Sequence, residues 1–127
     1  MQKIPKAIVV DDDKDTVDVF CEYLRMLDVD VVGWGYDGKD AVEMYEKHRP
    51  DVVFVDYAMP EYDGFFALEN IKGLDPKASV VILTANYTDE TIRKLEQLKP
   101  RKILKKPFDT ERVSEIINEI RQSIVVV

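Results

Sequence analysis

The stretch Asp51-Val52-Val53-Phe54-Val55-Asp56-Tyr57-Ala58-Met59-Pro60-Glu61-Tyr62-Asp63-Gly64 decides the fold. Val52 to Val55 form an apolar run without alternation, the pattern of a strand buried on both faces, as in a parallel sheet. Asp56 follows that run directly. Pro60, Asp63 and Gly64 are turn residues, so the strand passes through a short loop into a helix. Working outward, similar runs stand at Ala7-Ile8-Val9-Val10, Val80-Val81-Ile82-Leu83 and the shorter Ile103-Leu104. Val29 to Tyr36 reads as a further, partly exposed strand.

Helical periodicity fills the gaps. Val17, Phe20, Cys21, Leu24 and Leu27 share one face at 3.6-residue spacing, and Val113, Ile116, Ile117, Ile120 and Ile124 repeat the pattern. Weaker versions run from Lys39 to His48, Phe65 to Lys72 and Asp89 to Leu98. Thr88, and Asp109 or Thr110, are candidate helix caps followed by acids in the first turn. The order is strand then helix, five times over, which predicts a doubly wound α/β sandwich around a parallel sheet. Such sheets bind ligands at the carboxyl ends of their strands, near the switch in strand order.

Those ends carry a consistent set of groups. Asp11-Asp12-Asp13 follows the first strand, Asp56 the third, Thr84-Ala85 the fourth and Lys105-Lys106-Pro107-Phe108 the fifth. Carboxylates held close together raise one another's pKa unless a cation intervenes. Hard oxygen ligands select Mg²⁺, which typically takes one or two carboxylates and keeps several waters. Mg²⁺ with carboxylates, a hydroxyl and an ammonium suits a phosphoryl group, whose charge spreads over its oxygens. Asp56, directly after a buried strand, is the candidate acceptor, since an aspartate can form a covalent aspartyl phosphate.

Composition narrows the setting. The 127 residues make one domain, 46% hydrophobic and 34% charged. A net charge of −7 argues against direct binding of nucleic acid or of an anionic membrane. No apolar run exceeds four residues, which leaves no transmembrane span or signal-peptide core and predicts a cytoplasmic protein. The single cysteine, Cys21, excludes an intrachain disulfide and reads as a buried structural thiol. Residues 1–69 hold 17 acids and 7 bases, whereas seven bases between Arg93 and Lys106 face one acid, Glu96. That basic stretch is either a solvated face or a surface that steers a partner.

Taken together, Val10-Asp11-Asp12, Asp56-x-x-Met59-Pro60-x-x-Asp63-Gly64, Leu83-Thr84-Ala85 and Lys106-Pro107-Phe108 resemble the CheY-like receiver domain of two-component response regulators. The resemblance spans roughly Lys6 to Ser123, the core of a single domain over residues 1–127. It implies a flavodoxin-like (βα)5 sandwich with strand order 2-1-3-4-5. It also implies a phosphoacceptor signalling role, with a phosphoryl group taken from a sensor histidine kinase or phosphotransfer protein. By position, Asp56 is the phosphoacceptor, Asp12 a direct and Asp11 a water-mediated Mg²⁺ ligand, and Ala58 a backbone carbonyl ligand. Thr84 and Lys106 meet phosphoryl oxygens, the Lys106-Pro107 bond is cis, and Ala58 and Asn86 tune dephosphorylation. Such a domain supports its own phosphorylation and dephosphorylation and is not an enzyme of external substrates.

The chain departs from that pattern in two places. Ile103 stands where receivers usually carry the Tyr or Phe that reports phosphorylation, and Lys99-Pro100 replaces the usual Gly-Ala. Both changes fall in the basic stretch, on a face that receivers use for output or dimerisation, which makes Arg93 to Lys106 the expected target-binding region of a monomer or weak homodimer. The length leaves no room for an output domain, so the chain is either a stand-alone receiver or a segment of a longer protein. Its apolar end, Ile124-Val125-Val126-Val127, covers core, joins a dimer or marks a linker.

Other readings fit less well. Asp13-Lys14-Asp15-Thr16-Val17 spells the signature of a haloacid-dehalogenase-like phosphatase but is displaced past the strand end into the first helix. Asp11, Asp13, Asp15 and Glu22 have calcium-loop spacing, but Thr16 stands where that loop requires Gly. A receiver fold acting as a binding module without phosphorylation is the remaining alternative. His48 reads as a helix-terminal or exposed side chain, Trp34 as packed or partly exposed on an edge strand, Asp13 as a helix cap, and Lys105 as pointing away from the site.

Overall fold

In a computed structural model, which describes residues 4–124, strand and helix alternate five times. The strands are β1 (Lys6–Val10), β2 (Asp30–Gly35), β3 (Val52–Asp56), β4 (Val80–Thr84) and β5 (Lys102–Lys105). The helices are α1 (Lys14–Met26), α2 (Gly38–His48), α3 (Gly64–Leu74), α4 (Asp89–Glu96) and α5 (Thr110–Ser123). All pairings are parallel and the order is β2-β1-β3-β4-β5. The chain thus runs from β1 out to the β2 edge, then returns to the other side of β1 as β3. The carboxyl ends of β1 and β3 adjoin at this reversal, where a doubly wound sheet opens its crevice.

Alternation along each strand sends neighbouring side chains to opposite faces. Ala7, Val9, Val52 and Phe54 pack with Val17, Phe20, Leu24, Val113, Ile116 and Ile120, under α1 and α5. Ile8, Val10, Val53 and Val55 pack with Ala41, Tyr45, Leu68, Ile71 and Leu95, under α2, α3 and α4. The continuous apolar runs are therefore what two covered faces demand. Cys21 is buried in the first layer, and that burial pushes its thiol pKa up, as befits an inert structural cysteine. Ile124 packs against the same layer, while Val125 to Val127 lie outside the described residues.

Each helix begins on a side-chain cap: Asp13, Asp37, Asp63, Thr88 and Asp109 accept backbone N–H groups of their first turns. The two sheet edges differ. β5 is short and carries Lys102 and Lys105, charges that discourage pairing with another edge. β2 is longer and leaves Trp34 half-exposed.

Helix α4 is shorter than the spacing to Leu98 predicts. It ends at Glu96, and Leu98 and Lys99 donate to the carbonyls of Leu95 and Glu96 in a tightened last turn. Lys99 then takes φ 55, in the left-handed region, and Pro100 prevents any continuation. A side chain there costs about 1–2 kcal/mol, partly offset because glycine loses more chain entropy on folding. Lys99→Gly should raise stability by about 0.5–1 kcal/mol, read as a higher urea midpoint with unchanged slope.

Candidate functional site

The reversal point gathers the carboxylates. Asp56 ends β3 and is 5% exposed; Asp11 lies just beyond β1 and is equally buried; Asp12 is exposed beside it. Each of the three brings a carboxylate oxygen to within 4.8 Å of the other two. Asp11 Oδ1 accepts the Asp13 N–H at 2.9 Å, which turns the chain into α1. Asp13 spends its own carboxylate on the Asp15 N–H and the Thr16 hydroxyl, so it caps the helix and leaves the site to its neighbours. That geometry also disposes of the phosphatase-like and calcium-loop spellings, because Asp15 lies in the first turn of α1 and Glu22 further along it.

Lys106 reaches in from the end of β5. Its Nζ donates to Asp11 Oδ2 at 2.6 Å and stands 3.3 Å from Asp56 Oδ1. Two ring contacts and two hydrogen bonds hold it there. The Phe108 ring sits 4.5 Å from that of Phe20, which in turn sits 5.0 Å from Phe54. The Tyr23 hydroxyl donates to the Thr110 carbonyl at 2.7 Å, tying α1 to the start of α5. The Lys106-Pro107 bond is cis, and the Lys106 N–H donates to the Thr84 carbonyl at 2.9 Å. Thr84 ends β4 and is 1% exposed. Lys105 is exposed, as alternation requires.

Electrostatics follow from burial. Removal from water and the negative charge of Asp11 raise the Asp56 pKa to about 6, with Lys106 only partly offsetting them. Burial also works against the Lys106 ammonium, but its hydrogen bond to Asp11 and the charges of Asp56 and Asp11 outweigh that, so its pKa lies above the ordinary lysine value. A divalent cation fits this donor set: hard oxygens, a shortage of positive charge, and one carboxylate exposed to solvent.

Gly64 brings the next helix against Asp56. Its N–H donates to the Tyr57 carbonyl at 2.8 Å, and a Cβ there would stand 2.6 Å from the Asp56 carbonyl oxygen. The sequence marks Gly64 as a turn residue, but the close approach is visible only in three dimensions. Ala58, between Asp56 and Gly64, is exposed. Beside Lys106 a mainly apolar groove of about 550 Å³ runs along Thr16, Val19, Ala85, Pro107 and Phe108.

The basic stretch is more dispersed than its spacing suggests. Arg101 donates to Ser79 Oγ and Glu119 Oε1, Lys94 stacks 4.5 Å over the Phe65 ring, and Lys106 belongs to the site. Arg93, Lys99, Lys102 and Lys105 remain exposed. Ile103 is half-buried on β5. His48 lies in the last turn of α2 and is half-buried. Sequence reasoning missed Thr91, which is 7% exposed; its signal was the Thr88-x-x-Thr91 spacing of a cap and its third helical residue.

The chain is similar to known proteins along most of its length. The chain is 32% identical over 115 residues to Protein CcdB of Bacillus subtilis, covering 91% of this chain and 96% of that one. It is 37% identical over 90 residues to the chemotaxis protein CheY of Bacillus subtilis, covering 71% and 75%. Among solved structures it resembles the CheX-CheY-BeF3-Mg+2 complex from Borrelia burgdorferi, with a TM-score of 0.85 at 26% identity over 92% of this chain and 90% of that one. The profile of the response regulator receiver domain matches residues 7–118, and the chain belongs to that family.

Proposed function

We propose that Asp56 is the phosphoacceptor of this chain and that Asp11, Asp12 and the Ala58 carbonyl complete a Mg²⁺ site with it. The chain is a phosphoacceptor signalling domain of the CheY-like kind, with Mg²⁺ as its cofactor, and supports its own phosphorylation and dephosphorylation. The observation that carries the assignment is a buried Asp56, at the reversal of strand order, facing both Asp11 and the Lys106 ammonium. The catalytic set is Asp56, Thr84 and Lys106.

An Asp56 carboxylate oxygen forms the new P–O bond while the bond from phosphorus to the donor's nitrogen breaks, and that nitrogen keeps the electron pair. Lys106 follows the developing charge on one phosphoryl oxygen, and the Thr84 hydroxyl donates to another. Mg²⁺, when bound, offsets the negative charge of the transferring group. Family membership makes the donor a histidine kinase or phosphotransfer protein in general. The exposed bases between Arg93 and Lys105 form the target-facing surface. Among the described residues no helix is long and apolar enough to cross a membrane. We place the single domain, residues 1–127, in the cytoplasm.

The test is exposure to acetyl phosphate with Mg²⁺. Intact-mass analysis should show one phosphoryl group on wild type and none on Asp56→Asn; a bare wild type would leave only a binding module. Millimolar Mg²⁺ should also raise the melting temperature, since it binds the folded site preferentially; at tenfold over its Kd the gain is about 1.4 kcal/mol. That gain should fade as pH drops below about 6, where a proton on Asp56 competes with the metal. A pH-independent shift would move the metal elsewhere.

A further inference from the structure

Four buried side chains among the described residues are polar or charged: Asp11, Asp56, Thr84 and Thr91. The first three form the site. Thr91 stands apart, on the first turn of α4, and its burial calls for a role because a hidden hydroxyl is tolerated only when hydrogen-bonded.

Its partners lead back to Thr84. Thr91 Oγ1 accepts from the Asn86 carboxamide at 3.2 Å and from the Thr88 hydroxyl at 3.1 Å, which fills both of its lone pairs. The Asn86 backbone N–H in turn donates to Thr84 Oγ1 at 2.9 Å. Thr88 Oγ1 accepts the Thr91 N–H at 3.3 Å as the cap of α4. One chain of hydrogen bonds therefore runs from the hydroxyl at the end of β4 through Asn86 to the first turn of α4. Asn86 is exposed, so without Thr91 its carboxamide would turn freely in water. Ile103, on the neighbouring strand, has no polar group with which to steady Thr84.

We propose that Thr91 is a positioning residue for phosphoryl transfer: through Asn86 it fixes the Thr84 hydroxyl. This rests on the phosphoacceptor reading of Asp56. An acceptor lone pair of Thr84 Oγ1 is taken up by the Asn86 N–H, and the hydroxyl proton is left to donate to a phosphoryl oxygen. Holding that rotamer before the donor arrives removes its ordering cost from the transfer step. The same link gives α4 a mechanical connection to the site in a chain that lacks an aromatic residue at Ile103.

Two measurements on wild type, Thr91→Val, Thr91→Ser, Thr84→Ala and the Thr84→Ala/Thr91→Val double variant decide it. In the metal-free protein, Thr91→Val should speed amide exchange of Asn86 about tenfold while the β4 amides keep their protection. With acetyl phosphate and saturating Mg²⁺, Thr91→Val should slow phosphoryl uptake about five-fold, the loss expected for one hydrogen bond. The Mg²⁺ concentration for half-saturation should stay unchanged. Thr91→Ser, which keeps the hydroxyl, should restore both readings. In the Thr84→Ala background, Thr91→Val should add nothing, because the group it acts through is gone. Equal slowing in both backgrounds, or unchanged exchange at Asn86, overturns the proposal. Absence of uptake by wild type overturns the phosphoacceptor reading and this proposal together, whereas uptake indifferent to Thr91→Val overturns this proposal alone.

Discussion

Asp56→Asn should remove phosphoryl uptake altogether and at the same time make the metal-free protein more stable. The first effect follows from chemistry: an amide oxygen is a far weaker nucleophile than a carboxylate and leaves no aspartyl phosphate. The second follows from burial. Asp56 ionises at about 6 in the folded chain, above the ordinary carboxylate value of 3.8, because it is desolvated and faces Asp11. The folded state therefore holds this proton more tightly than the unfolded state does. Stability contributed by the protonated form is present at low pH and is lost as pH rises from about 4 through about 6. Above that window wild type bears the full cost, about 3 kcal/mol for a shift that already includes the partial charge relief from Lys106. The asparagine variant should match wild type near pH 4 and exceed it at pH 7 to 8, read by chemical denaturation in chelator. Asp12→Asn should gain much less, since Asp12 is exposed. An asparagine variant no more stable than wild type at pH 8 would contradict the crowded-carboxylate account.

Gly64→Ala should cost about 3 kcal/mol, against its helix propensity, which favours alanine by up to about 1 kcal/mol. Gly64 is the first residue of α3, and its φ is ordinary, so conformational freedom is not the reason for glycine. The obstacle is contact: a Cβ would stand 2.6 Å from the Asp56 carbonyl oxygen and 2.7 Å from the Tyr57 Cα. Both are backbone atoms that cannot swing aside. Relief would have to come from pushing α3 away from the end of β3, which would also shift Ala58 and Asp56 itself. Phosphoryl uptake and Mg²⁺ affinity should therefore fall along with stability. Gly73 supplies the internal control. It lies near the other end of the same helix, with nothing within 4 Å of an added Cβ, so Gly73→Ala should stabilise by about 0.5–1 kcal/mol. If both substitutions behaved alike in thermal melts, the close approach at Gly64 would not be what glycine is there for.

The readable parts of this chain share a physical basis. Continuous apolar runs announced β1, β3 and β4 because burial on both faces leaves no room for alternation. The 3.6-residue spacing in α1 and α5 named their buried faces correctly, down to Val17 and Ile120. The carboxylates, Thr84 and Lys106 were legible because each ends or follows a strand, and parallel strands of one sheet put those positions on one edge. The end of α4 was not legible, since it depends on how Lys99 turns before Pro100. Nor was the fate of Arg101 and Lys94, which spend their charge on Glu119 and the Phe65 ring from distant elements.

Sequence alone thus determined the element order, the two-faced core and the set of groups at the strand ends, because these depend on local pattern and on the rules for winding parallel strands. Only the tertiary structure decided how Lys106 divides itself between Asp11 and Asp56, why residue 64 has no side chain, and which hydroxyls connect Thr84 to α4. Those features are distances between atoms far apart along the chain or across a turn. They arise when packing fixes helices against strand ends, and no periodicity in the sequence encodes them.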